Sequence, residues 1–157
     1  GHSTTIYNGE CVKISSGYVV GGNGSAANIV GVLNGIFFNA ATTLKPTFSN
    51  FYKATITPAN SEDTTAFVID DPYQQYVVAA DDATGVTTML ETYDMNTSAG
   101  SDTTGKSSSS LDIATTSANG KQFRLLRSAE DPENEDATAA LASVIVVSNL
   151  NSFNGHN

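Results

Sequence analysis

Apolar and polar side chains alternate with a period of two in "CVKIS" (residues 11 to 15), "YKATITP" (52 to 58) and "QFRLL" (122 to 126). Successive side chains of an extended strand point to opposite faces, so this alternation describes strands with one face in a core and one in water. In the first, Val12 and Ile14 form the apolar face, and Cys11 and Lys13 fall on the polar one. Four further runs are continuously apolar and rich in Val, Ile and Phe: "NIVGVLNGIFF" (28 to 38), "AFVI" (66 to 69), "YVVAA" (76 to 80) and "ASVIVVS" (142 to 148). They are too short for buried helices and predict central strands covered on both faces. On that reading Tyr76, Val78 and Ala80 face one layer, Val77 and Ala79 the other.

Turn residues separate these segments at short intervals, in "SSGY", "GGNGS", "TPANSED", "DDP", "DDATG" and "SANGK". Asn119-Gly120, between "LDIATTS" and "KQFRLL", predicts a hairpin, because both residues tolerate positive φ. Residues 84 to 95, "TGVTTMLETYDM", fit helical spacing through Val86, Met89, Leu90 and Tyr93, against several threonines that favour strand; a single helical turn is the expectation. "DPENEDATAALA" (131 to 142) reads as an acidic loop or helix start before the last strand. The hydrophilic stretch 97 to 110, "TSAGSDTTGKSSSS", predicts a long loop, and residues 1 to 5 and 97 to 110 are expected to be extended or mobile. The fold class is therefore all-β, a compact β-barrel or β-sandwich of eight or nine strands with long loops and at most one or two short helical turns. A chain of 157 residues is the size of one domain, spanning 1–157, and buries about two-thirds of its unfolded surface.

Charge narrows the function classes. Seven Lys and Arg against 16 Asp and Glu give a net charge of -9, the wrong sign for phosphate recognition, so no nucleic-acid partner is expected. The cations are scattered, and no apolar run approaches the length of about 18 residues that a helical membrane span needs. Charged residues make up only 15% of the chain, leaving a surface of neutral hydroxyl and amide groups. The single cysteine, Cys11, cannot form an intramolecular disulfide and is expected as a small buried hydrophobe. The chain starts Gly-His without an initiator Met, which implies that N-terminal residues are absent, and it shows no signal-peptide core.

Groups able to do chemistry are few. Asp70-Asp71-Pro72 and Asp81-Asp82 bracket an apolar run. Two carboxylates converging across about 5 to 9.5 Å could serve acid-base catalysis, and a weak cation site is the other active reading. Asp before Pro, and Asp-Asp before Ala-Thr-Gly, are also how strands end, and strand punctuation is the expectation. "DPENED" lacks the order and the glycine of an EF-hand loop. His2 and His156 sit at opposite ends, and with Cys11 they supply too few ligands for zinc. No G-x-S-x-G motif accompanies the serines. "GGNGSAANIVG" lacks the lysine of a phosphate loop and runs into a strand-like segment. Asn23-Gly-Ser and Asn96-Thr-Ser are formal glycosylation sequons. The expectation is no catalytic residue, metal or cofactor. Tyr73 and Tyr76 could stack on a sugar, with core or interface packing as their ordinary use.

The order of phrases adds a family. "IYNGECVKISSGYV", "IVGVLNGIFF", "PTFSNFYKATIT", "DTTAFVIDDPYQQYVVAAD" and "FRLLRSAEDPEN" before a Val-rich strand together resemble the capsid decoration, cement or head-stabilising proteins of tailed bacteriophages. The resemblance spans roughly residues 5 to 150. The chain departs from the family at Glu10-Cys11, where Asp is usual, and at "FYKATITP", where Trp-Pro is frequent. What the resemblance implies is a β-tulip-like structural protein of the virion, a homotrimer on the outer surface of the capsid, bridging neighbouring major capsid protein subunits without touching nucleic acid or membrane. Ile6, Tyr7, Phe37, Phe38, Phe51 and Tyr52 are the candidate interface residues. The alternative is a virion-displayed adhesin or glycan-binding module using loops such as 97 to 110.

Overall fold

The computed structural model describes residues 3 to 24, 28 to 133 and 136 to 153. Its strands are β1 (Cys11–Ser15), β2 (Tyr18–Gly21), β3 (Gly31–Asn39), β4 (Pro46–Ser49), β5 (Thr65–Ile69), β6 (Gln75–Ala79), β7 (Thr92–Met95), β8 (Leu111–Ser117), β9 (Phe123–Ser128) and β10 (Ser143–Ser148). They form two five-stranded sheets whose ladders are all antiparallel. The first runs β2-β1-β3-β4, with β5 on the other edge of β3; the second runs β6-β10-β9-β7-β8. The result is a sandwich-like all-β fold, not a closed barrel. The only helical pieces among the described residues are single turns at Ala59–Ser61 and Val86–Thr88. Residues 84 to 95 thus hold both a helical turn and strand β7.

The apolar side chains gather in two clusters. One lies on the second sheet, with Tyr93, Leu111, Phe123, Leu125, Val144 and Val146 joined by Cys11 and Ile29. The other lies on one face of the first sheet, where Val12, Leu33 and Ile36 meet Ile6 from the N-terminal segment. Strand β1 enters both, because Cys11 and Val12 are neighbours that point to opposite sides. Its alternation is therefore inverted at Cys11, which is buried, while Ile14, expected in the core, is exposed near the end of the β1–β2 hairpin. Burial pushes the Cys11 thiol pKa well up, and its Sγ donates to Asn23 Oδ1 at 2.7 Å. Native protein is expected to leave Cys11 unreacted with a chromogenic disulfide reagent and to release one equivalent only in denaturant; prompt native labelling would contradict this placement.

Three further expectations are corrected. "YKATITP" is no strand: Tyr52 forms one bridge with Ile6, and a turn closed by Ile56 N–H on Lys53 O at 2.9 Å follows. Its alternation is burial without a ladder, since Tyr52 and Ile56 pack on the cluster around Ile6. β8 and β9 do not form a hairpin across Asn119-Gly120; β7 pairs with both and lies between them. The side chains at the end of β7 explain the crossing. Asp94 takes the Lys121 ammonium on Oδ2 at 2.9 Å and the Gln122 N–H on Oδ1 at 3.3 Å. The buried Gln122 amide accepts from Met95 N–H and donates to Gly22 O, so residues 121 and 122 are pinned at the end of β7.

Lastly, β5 and β6 are covered on one face only. Ala66, Val68, Tyr76 and Val78 pack inward, whereas Phe67, Ile69 and Val77 face out, Val77 being 68% exposed. Both strands belong to sheets with a single packed partner layer there, and a run of apolar residues does not say how many layers cover it.

Candidate functional site

Strands β3, β4 and β5 carry the candidate site on the face turned away from the Ile6 cluster. At Gly35 the β3–β5 register shifts, and this glycine has φ +149°, a bulge geometry in which a side chain is strained. Leaving out the side chain also makes room: a Cβ there would lie 2.6 Å from Cζ of Phe48. The Phe48 ring therefore rests on the Gly35 backbone and against Phe67, with ring centroids 6.0 Å apart and planes tilted by 41°. Phe37 pairs directly with Phe48, and directly opposed residues share a face. Ile69, two residues beyond Phe67 on β5, extends the same side.

These four side chains remain open to solvent, with Phe48 61%, Phe67 46%, Phe37 38% and Ile69 38% exposed. A contiguous aromatic patch on a chain this rich in neutral polar residues is the kind of surface that partners cover. Its charge setting is asymmetric. Glu62 and Asp63 precede β5, Asp70 and Asp71 follow it, all four exposed, with Lys45 at the β4 corner. The patch is an apolar centre with carboxylates at both ends of one strand.

Of the residues expected at an interface, Phe37 belongs to this patch. Ile6 is buried, and Phe38 and Tyr52 pack against it, so their area is spent on the chain's own core. Tyr7 and Phe51 stack on each other at 5.7 Å with planes 5° apart. They form the seat of residues 97 to 110. The Tyr7 hydroxyl donates to Asp102 Oδ1 and Lys53 Nζ reaches Asp102 Oδ2, each at 2.8 Å. Asn50 Nδ2 donates to Thr104 O at 2.8 Å, and Asn8 bridges to Lys106. This loop lacks strands of its own, folds back on itself in a turn where Gly105 N–H donates to Ser101 O at 2.7 Å and Ser101 N–H to Lys106 O at 3.0 Å, and is fastened at several points.

Hydrogen bonds from Lys53 and Tyr7 hold the Asp102 carboxyl below its ordinary pKa. A depressed carboxylate pKa contributes stability above the unfolded value that is lost as pH falls through the folded one. The loop is accordingly expected to loosen in acid, below about pH 4. Tyr7 ring resonances followed by NMR should shift in that window. Asp102→Asn should remove the transition; a transition that persists in the variant would sink the assignment.

The four aspartates first suspected of chemistry end strands. Asp71 Oδ1 accepts from Tyr73 N–H at 2.9 Å, and Asp71 O from Gln74 N–H at 3.1 Å, closing the turn that carries the chain from the first sheet to the second. Asp81 Oδ1 accepts from Ile113 N–H at 2.9 Å and Asp82 Oδ1 from Ala83 N–H at 2.7 Å. The two pairs lie at opposite ends of β6. Among the described residues no group of three or more His, Cys, Asp or Glu side chains could hold a metal ion. His2 and His156 lie outside the described residues. Tyr76 is half-buried, edge-on to Phe123, and Tyr73 is exposed in the turn. Asn23 is engaged by Cys11 and Ser109, and Asn96 by Ser110.

Sequence reasoning missed Phe48 and Phe67. Phe67 sat in a run read as doubly buried, and β4 was not foreseen. The carboxylates at 62, 63, 70 and 71 were the available signal, since a strand with charges at both ends has its ends in water. No protein-family model, curated protein or solved structure matches this chain.

Proposed function

We propose that this protein is a non-enzymatic virion structural protein that binds the outer surface of an icosahedral phage head and stabilises it by bridging neighbouring major capsid protein subunits. The observation that carries the reading is the bare aromatic face of Phe37, Phe48, Phe67 and Ile69. It offers area to be buried and no group to react. The phrase order resembling phage decoration proteins supplies the class of partner, and a net charge of -9 suits the outside of a head, since like charges repel packaged DNA. Each docked face contributes modest affinity; assembly as a homotrimer would tie three such faces together and multiply it.

The test is direct. Heads lacking this chain should release DNA at a lower temperature than heads to which purified protein has been added back, and equal release temperatures would reject the stabilising role. The exposed Tyr73 ring, able to stack on a sugar, supports the second reading, a glycan-binding module. That reading predicts saturable signal on a glycan array, lost in Tyr73→Ala.

A further inference from the structure

We propose that the seam between the two edges of the second sheet is an acceptor for an extended peptide arm of a partner protein, which adds as a strand to the free edge of β6 with a carboxylate over Lys106. The two edges of that sheet, β6 and the segment leading into β8, meet at the isolated bridge between Ala80 and Leu111. There Asp81 N–H donates to Leu111 O at 3.0 Å. Beyond this point they diverge. Backbone directions along β6 follow from its other side: Ala80 N–H donates to Ala142 O at 3.0 Å and Ala80 O accepts from Leu141 N–H at 2.7 Å, so Ala80 faces β10. Directions alternate along a strand. Val77 and Ala79 therefore turn their N–H and C=O groups the same way as Asp81, into the gap, where no backbone partner meets them among the described residues.

The gap is a cleft of about 410 Å3, within the range of sites that hold small ligands or short peptide segments. Its floor is apolar, with Cys11, Met95, Phe123 and Val146, and its far wall is polar, with Asn8, Lys106, Ser107 and Ser109. Lys106 makes no ion pair among the described residues. Unpaired strand groups beside an apolar floor match an extended main chain with alternate apolar side chains. A lone cation beside the Ser107 hydroxyl, which accepts from Ser109 N–H at 3.1 Å and keeps its own proton to donate, in a chain of net charge -9, matches a carboxylate on that arm and no second acid. This cleft is separate from the aromatic face and does not depend on what that face binds.

The probe is the peptide acetyl-Thr-Val-Thr-Val-Asp, with acetyl-Thr-Val-Thr-Val-Lys-amide as its charge-reversed control, read by amide hydrogen exchange in NMR. In free protein the Val77 and Ala79 amides are expected to exchange at least about 100-fold faster than those of Tyr76 and Val78, which bond to β10. The acidic peptide at millimolar concentration should slow Val77 and Ala79 at least tenfold. Lys106→Glu should cancel that protection and admit the lysine peptide instead. Val77→Pro, which removes an outward N–H while keeping the β10 pairs, should abolish both. Unchanged exchange at Val77 and Ala79 under saturating peptide overturns the proposal, as does protection that ignores the charge at position 106. Either result leaves head binding through the aromatic face untouched, so the two readings fail separately.

Discussion

Phe48→Asp combined with Phe67→Asp is expected to weaken the proposed attachment to phage heads by at least roughly 100-fold, the scale seen when two central aromatic anchors are lost. Phe48 is 61% and Phe67 46% exposed in the free chain, so the fold should survive with a loss of no more than about 3 kcal/mol. Cosedimentation of the variant with heads, beside a urea denaturation curve, reads the two effects independently. A suitable control is Val86→Asp. Val86 is 90% exposed on the helical turn before β7, outside the aromatic face, and its substitution should leave attachment intact. Wild-type attachment by the double variant would remove the aromatic face from the mechanism, and equal loss in the control would mean that added negative charge alone is responsible. The carboxylates at 62, 63, 70 and 71 give the same experiment a salt axis. If they meet basic groups at the edge of the partner, wild-type attachment should weaken as ionic strength rises.

Gly31→Ala should produce the largest loss of stability available from one methyl group. Gly31 opens β3, paired with Val12, and a Cβ on it would run into the carbonyl oxygen of Ile69 and come within 2.9 Å of the Val68 Cγ1. The obstacle is backbone, which cannot rotate away as a side chain can. The expected cost is about 3 kcal/mol, the upper range for overpacking a filled interior. A shifted urea midpoint with unchanged slope would be the signature. A midpoint within experimental error of wild type would mean that β5 does not pass so close to β3. Because Ile69 also belongs to the aromatic face, a variant that survives by moving β5 should lose head attachment as well.

Gly31 and Gly35 also show what could be read from the chain before its fold was known. Both sit inside an apolar run, where glycine marks a bulge or a close approach of backbone, and both do that here. The strands at 11 to 15, 31 to 39, 65 to 69, 75 to 79, 123 to 128 and 143 to 148 followed from composition and alternation. Coverage did not. Phe67 and Val77 lie in continuous apolar runs, and such runs look the same whether one face or both meet another layer. The neighbour of each strand was equally hidden. Asn119-Gly120 has the local chemistry of a hairpin, but the order β9-β7-β8 is decided by Gln122 and Asp94, whose partners in the chain are 27 to 100 residues away. The four aspartates were legible as strand ends from the turn residues that follow each pair, Pro72 and Ala83-Thr84-Gly85, and Asp71 closes an Asx turn with Tyr73 N–H two residues on. Phe37 was legible as an apolar candidate for an interface; Phe48 was not, since its role depends on a bulge in another strand.

Strand β1 sets how the molecule comes apart. Cys11 and Val12 are adjacent, yet one is fixed in the interior of the second sheet and the other in that of the first. The two interiors are thus coupled through consecutive peptide units, and a disturbance on one side reaches the other by rotating a single short strand. Amide exchange should resolve two cooperative blocks, one per sheet, with the amides of β1 opening only when the more stable block opens. Opening of the weaker block would then leave the link between the two halves closed.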